Sequence, residues 1–176
     1  QLPGMQAPAG EENDDLSRLY TERRVVKQLK DLSAAFRNEK WSDARDLLTV
    51  LRAADPLLMI PDPRGTFVPL HRDLALRIQN PGPEILKDFQ QENAAAEHAL
   101  RRSLATDSYS GLLPFLQQYA GTKAAFRAHF LLATVHADRG HALAARYWLT
   151  PLLTEHAEPD LKAAAEKLKA RLENQK

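Results

Sequence analysis

The sequence predicts an all-α chain of helical hairpins stacked in series, and three observations predict it. The segment from Ala128 to Leu153, AHFLLATVHADRGHALAARYWLTPLL, reads as two amphipathic helices joined by a tight turn at Gly140. Small residues, Ala133 and Ala145, stand where those helices must touch. The register recurs: Ala44, Leu112 and Ala145 occupy equivalent slots spaced 68 and 33 residues apart. Composition agrees, with only 7 glycines against abundant Ala, Leu, Arg, Glu and Gln. No stretch alternates apolar and polar residues as a half-buried strand would, so no strand is expected.

With Gly140 at the turn, the segment resembles a degenerate tetratricopeptide repeat, a pattern of about 34 residues. Leu132, Leu149 and Leu152 take large apolar positions, His129 and His136 stand where the pattern carries aromatics, and the closing proline is displaced to Pro159. An earlier copy runs from Leu32 to Pro56, with Trp41 at the start of its second helix and Leu48 and Leu51 on the apolar stripe. The resemblance implies a right-handed solenoid, a scaffold that binds partners.

Taken in order, residues 1–13 read as a flexible arm rich in Pro, Gly and Ala. Residues 14–176 read as one helical-repeat domain. A long helix starts near Asp14 or Asp15, with Leu16, Leu19, Val26, Leu29, Leu32 and Phe36 on its apolar face. The acidic residues ahead of Arg18 complement the positive end of its dipole. Asn38, Glu39 and Lys40 turn the chain into a second helix from Trp41 to Ala54. Residues 55–66, DPLLMIPDPRGT, break the pattern, because Pro56, Pro61, Pro63 and Gly65 exclude a helix. The expectation is an irregular insertion that lays Leu57, Leu58, Met59 and Ile60 over the hairpins. A short helix spans Val68 to Ile78 and a long one Pro83 to Leu104, whose Ala94, Ala95, Ala96 and Ala99 allow close approach. Asp107 or Ser108 caps the next helix and Thr122 the one after. Further helices are expected over residues 142–155 and 160–174.

Charged residues at 27% beside 44% hydrophobic residues describe a folding chain, not a disordered one. Net charge is +1 and the pairs Arg23–Arg24 and Arg101–Arg102 are isolated, so nucleic acid is not an expected partner. No run of eighteen apolar residues marks a membrane span. With no cysteine, disulfides and thiolate chemistry are excluded. His129 and His136 lie seven residues apart rather than at the four-residue spacing of helical zinc ligands, and His98 lacks the HExxH context. No Gly-rich phosphate loop, Rossmann fingerprint or nucleophile elbow occurs. No catalytic residue, metal or cofactor is expected.

From Phe67 onward the chain is similar to the N-terminal helical region of large exported planctomycete proteins that carry a PQQ-binding-like β-propeller. Three blocks carry the likeness. The first is Phe67-Val-Pro with a short helix, then Phe89 to Glu92 and Ala94 to Ala96. The second is a capped helix ending at Tyr119 and Thr122. The third is the Asp138-Arg-Gly turn and Ala-rich helix to Leu153. The likeness is loose over residues 16–155 and better over 67–153. It implies export to the periplasmic space and a non-enzymatic scaffold role. No blade repeat is present, so no PQQ-binding residue carries over.

The partner-binding surface is expected beside the best-formed repeat, at His129, His136, Arg139 and Tyr147, as an accessible polar groove. Its occupant would be a protein or peptide segment, or a second copy of the chain. The alternative is a small-molecule-binding or enzymatic domain with a polar site around His129 and His136.

Overall fold

The computed structural model describes residues 11–61, 66–78, 80–105, 111–154 and 157–174, with side chains from Glu22 onward. The expected all-α class is what it contains: eight α-helices and one short ribbon among the described residues.

Helices α1 (Glu11–Arg37) and α2 (Trp41–Arg52) form a hairpin, as do α6 (Lys123–Asp138) and α7 (Ala142–Leu149). Their turns have the same backbone. At the first, Lys40 N–H reaches Ala35 C=O at 2.9 Å and Glu39 N–H reaches Phe36 C=O at 3.3 Å; at the second, His141 N–H reaches His136 C=O at 2.8 Å and Gly140 N–H reaches Ala137 C=O at 3.0 Å. This is the paired bonding of a Schellman cap, which needs a left-handed residue. Glu39 supplies it with φ +56 and Gly140 with φ +75. The next helix then starts in the same way, Ala44 N–H bonding Lys40 C=O and Ala145 N–H bonding His141 C=O. Ala44 and Ala145, equated by the sequence register, are therefore equivalent in space, and both are fully buried.

Helix α1 begins at Glu11, three residues before the expected start, so the acidic run opens the helix instead of leading into it. The arm expected over residues 1–13 otherwise lies outside the described residues. The buried stripe of α1 runs through Val25, Leu29, Leu32 and Ala35, with Val26 only half-buried.

The insertion is not irregular throughout. Met59–Pro61 (β1) pairs antiparallel with Phe67–Pro69 (β2), Ile60 standing opposite Val68. Leu70 N–H also bonds Leu58 C=O at 2.9 Å. In an antiparallel ladder, hydrogen-bonded and non-bonded pairs alternate. Leu58–Leu70 and Ile60–Val68 are thus the bonded pairs, and Pro61 and Pro69 fall at non-bonded positions. There a missing N–H costs the ladder nothing and leaves the outer edges short of donors. Side chains alternate accordingly: Leu58 and Ile60 are buried, whereas Leu57 and Met59, expected to lie over the hairpins with them, are exposed. The prolines argued against a helix here and none forms among the described residues; the pairing across residues 62–65 supplies the strands that were not expected.

Helix α3 (Leu70–Arg77) follows β2 directly, and α4 (Pro83–Ala105) opens on a proline, which lacks only an N–H that would be unpaired anyway. In α4 only Ala96 and Ala99 of the expected alanine face are buried; Ala94 and Ala95 face solvent. Helix α5 (Leu112–Gln118) has Pro114 in its first turn, and the caps expected at Asp107 or Ser108 lie outside the described residues. Thr122 caps α6 as expected, its Oγ1 accepting from Ala125 N–H at 3.3 Å. Helix α7 ends at Leu149, before the expected 155, and tightens into a 3-10 turn over Thr150–Leu153. Pro151 has no N–H with which to continue an α-helix. Helix α8 (Pro159–Glu173) closes the chain.

Three apolar clusters make the core. One joins α1, α2, the ribbon, α3 and the first turns of α4 through Ile85 and Phe89; a second joins the later turns of α4, α5 and the first half of α6; the third joins α6, α7, the 3-10 turn and α8. Glycine matters at two tight contacts: a Cβ on Gly82 would lie 2.6 Å from Cζ2 of Trp41, and one on Gly121, whose φ is +88, would lie 2.6 Å from Cζ of Phe89.

Candidate functional site

The four residues expected to line one groove divide between two places. His129, in the middle turns of α6, is buried at 2% exposure, so it lines no accessible groove; this corrects the sequence expectation. Its ring centroid lies 5.6 Å from that of Trp148. His71 of α3 stacks on the same indole at 5.9 Å and 11°, and is itself 1% exposed. Tyr147, half-buried, meets Trp148 edge-on at 5.2 Å, and the Arg72 guanidinium sits 3.7 Å above its ring. Two turns further along α6, about 10 Å by helix rise, half-buried His136 lies 5.9 Å from His141, next to exposed Arg139. The polar site expected around His129 and His136 together is therefore not assembled.

Burial governs the electrostatics at the first place. It lowers His71 to about 4, with Arg72 adding to the effect. His129 is lowered to about 3 by burial first and then by the charges of His71 and Arg72. Both rings are neutral at pH 7. Both His71 nitrogens and Nδ1 of His129 are buried without a hydrogen-bond partner. Burial also raises the Tyr147 hydroxyl, Arg72 acting against it. His136 is lowered by burial, then by His141 and Arg139. A general base works best with a pKa near the operating pH and a group to orient it. Imidazoles at about 3 and 4, beside a cation, are poorly matched to that task. Among the described residues no group of three or more His, Asp or Glu side chains is placed to hold a metal ion.

A different surface has the form of a groove. Helices α2, α4 and α5 enclose two hollows, of about 410 and 240 Å³, that share Thr49, Arg52 and Glu92 as lining. The sequence sets this up on two helix faces. Arg45, Thr49 and Arg52 recur at four- and three-residue steps on α2, and Asp88 and Glu92 at a four-residue step on α4. Arg45 Nε bonds Asp88 Oδ2 at 2.6 Å. Arg52 Nη1 bonds both Glu92 oxygens, at 3.1 and 2.9 Å, while Nη2 reaches Ala120 C=O. The guanidinium also lies 5.0 Å over the Phe89 ring. Burial lowers Arg52 and Glu92 counters it; the bond and charge of Asp88 raise Arg45. Gln117 of α5 donates through Nε2 to Leu51 C=O at 3.2 Å and Ala54 C=O at 2.6 Å, pinning α5 to the end of α2. The floor is braced by these bonds, while Thr49, Ala53, Gln91, Pro114 and Gln118 stand exposed on the walls.

A third hollow, about 540 Å³, lies between α6 and α8 and is lined by Lys123, Arg127 and Glu158. Lys123 pairs with Glu158 at 2.6 Å. Arg127 also reaches Glu97.

Sequence reading missed Arg45, Arg52, Glu92 and Gln117. The helix-face spacing was visible, but pairing across 40 and 43 residues was not. His71 and Arg72 gave no local signal at all. Compared with family models, with curated proteins and with solved structures, the chain matches none.

Proposed function

We propose that this chain is a non-enzymatic helical scaffold that holds an extended segment of a partner protein in the groove between α2, α4 and α5. The observation that carries the reading is the continuity of the two hollows over a floor whose charges are already paired. Such a floor binds no strong ion of its own, and a braced groove loses little freedom when a segment is laid in it. The walls mix apolar atoms of Ala53, Pro56 and Pro114 with the polar ends of Thr49, Gln91 and Gln118, which suits a peptide better than a charged polymer. Net charge of +1 agrees. Among the described residues no helix is long and apolar enough to cross a membrane.

The repeated hairpin turn at residues 39–41 and 140–142 supports a repeat architecture, and a right-handed tetratricopeptide-like solenoid is the arrangement we favour. The likeness to the helical region of exported planctomycete propeller proteins makes an exported multidomain parent the proposed setting. Of the residues first expected to meet a partner, Arg139 and the half-buried His136 and Tyr147 stay within reach as a secondary contact.

The test is capture with a blocked groove. Immobilised wild-type chain and a Thr49→Trp/Gln118→Trp variant are exposed to extract of the source organism, and retained proteins are identified by mass spectrometry. A partner held by the wild type and lost at least tenfold by the variant, with both equally helical, is the expected result. Equal retention by both sinks the groove assignment.

A further inference from the structure

Between the first and third core clusters lies a seam of a different kind. Helix α3 and its C-cap contribute Leu70, Leu74 and Ile78 to the first cluster, while Trp148 of α7 packs against the second and third. What meets across the seam is aromatic and cationic: His71 on Trp148, His129 on Trp148, and Arg72 over Tyr147. Three imidazole nitrogens here are sealed without a partner. A buried polar atom left unpaired keeps the full cost of its lost hydration, so the seam is a weak point by construction.

We propose that the seam between α3 and the α6–α7 hairpin is an acid-opened joint, in which protonation of His71 and His129 separates α3 from the hairpin while the helices stay formed. The inference stands independently of the groove.

The charged and titratable groups facing the pair are few. From α3 itself comes Arg72; from α6, His129 faces His71; from α7 comes Tyr147. Helix α5 and the 3-10 turn, which also pack on α3, carry no titratable side chain, and Glu97 of α4, which packs on α6, is paired with Arg127, leaving His71 and Arg72 as the charges that act on His129. Asp73 is engaged with Arg77, which in turn bonds Ser33 of α1 at 2.8 Å, on the opposite face of α3. Among the described residues, then, two new imidazolium charges would meet a guanidinium and no carboxylate. Water is the remaining way to solvate them, and only opening the seam admits it.

The sign follows from the two states. In the closed seam the rings sit at about 4 and about 3, and in the open seam they return to an ordinary value of about 6.5. The closed form is therefore fully favoured above pH 6.5 and loses ground as pH falls towards 4. Between pH 7.5 and 5.0 each ring shifts the open-to-closed ratio about 30-fold, or on the order of 10³-fold for the pair.

The chain has no cysteine, which makes spin labelling direct. Asn80→Cys beyond α3 and Leu143→Cys on α7, both exposed, carry labels in the full chain, and electron–electron distances are recorded at pH 7.5 and pH 5.0. The expected result is one short distance at pH 7.5 and a second, longer population at pH 5.0, with the helical circular dichroism unchanged. His71→Phe/His129→Phe should abolish the longer population; His71→Gln/His129→Gln serves if the aromatic pair fails to fold. An unchanged distance at pH 5.0 overturns the proposal. So does a longer population that persists in the uncharged variants, or one that grows in step with loss of helix.

Discussion

Replacing Arg52 with Met tests how the groove floor is built. The substitution keeps a side chain of similar length against Phe89 and removes the guanidinium. Three interactions go with it. The bond to Ala120 C=O is a charged donor to a carbonyl of a residue 1% exposed, worth about 1.5–3 kcal/mol. The bidentate pair with Glu92, whose side chain is 39% exposed, is worth about 1 kcal/mol. The cation–π contact with Phe89 adds about 0.5–1 kcal/mol. Arg52→Met should therefore cost about 3–5 kcal/mol, or about 10–15 °C in melting temperature for a chain of this size. Glu92→Gln should cost about 1 kcal/mol, and the double variant less than the sum because both changes break one pair. Urea denaturation followed by circular dichroism reads all three. A cost below 0.5 kcal/mol for Arg52→Met would falsify the bracing role and leave the guanidinium free for a ligand instead.

The two hairpin turns make a reciprocal prediction. Glu39→Gly should stabilise the chain by about 0.5–1 kcal/mol, because it relieves a left-handed non-glycine residue; Gly140→Val should cost about 1–2 kcal/mol from backbone strain alone, since no atom lies within 4 Å of its added Cβ. Thermal melts decide both, and a Glu39→Gly chain less stable than the parent would show that the turns are not equivalent. Gly82→Ala should cost about 1–3 kcal/mol by overpacking against Trp41, and Trp41→Leu in the same chain should recover part of that loss. Recovery of nothing would place the strain elsewhere.

Much of this fold was legible because its signals are local. The Gly140 turn, the Thr122 cap and the small residues at Ala44, Ala133 and Ala145 each act within a turn or two of their own helix. The ribbon was not legible, because β1 and β2 find each other across residues 62–65 and their prolines imitate a loop. The site was least legible. His129 behaves as an aromatic, packing on Trp148 inside the core. Its burial depends on His71, delivered by a helix far away in sequence. The groove likewise depends on Arg45 and Arg52 of α2 finding Asp88 and Glu92 on α4.

The central claim, that the α2–α4–α5 groove holds a protein segment, is tested most directly by photo-crosslinking from single positions. A benzophenone side chain is placed in turn at Thr49, Gln118, Arg139 and Lys169, all exposed, and each chain is irradiated in extract of the source organism. The account predicts one partner crosslinked strongly from Thr49 and Gln118, through a contiguous stretch of its sequence, weakly from Arg139 and not from Lys169. Equal yields at all four positions, or adducts confined to Arg139 or Lys169, would contradict it.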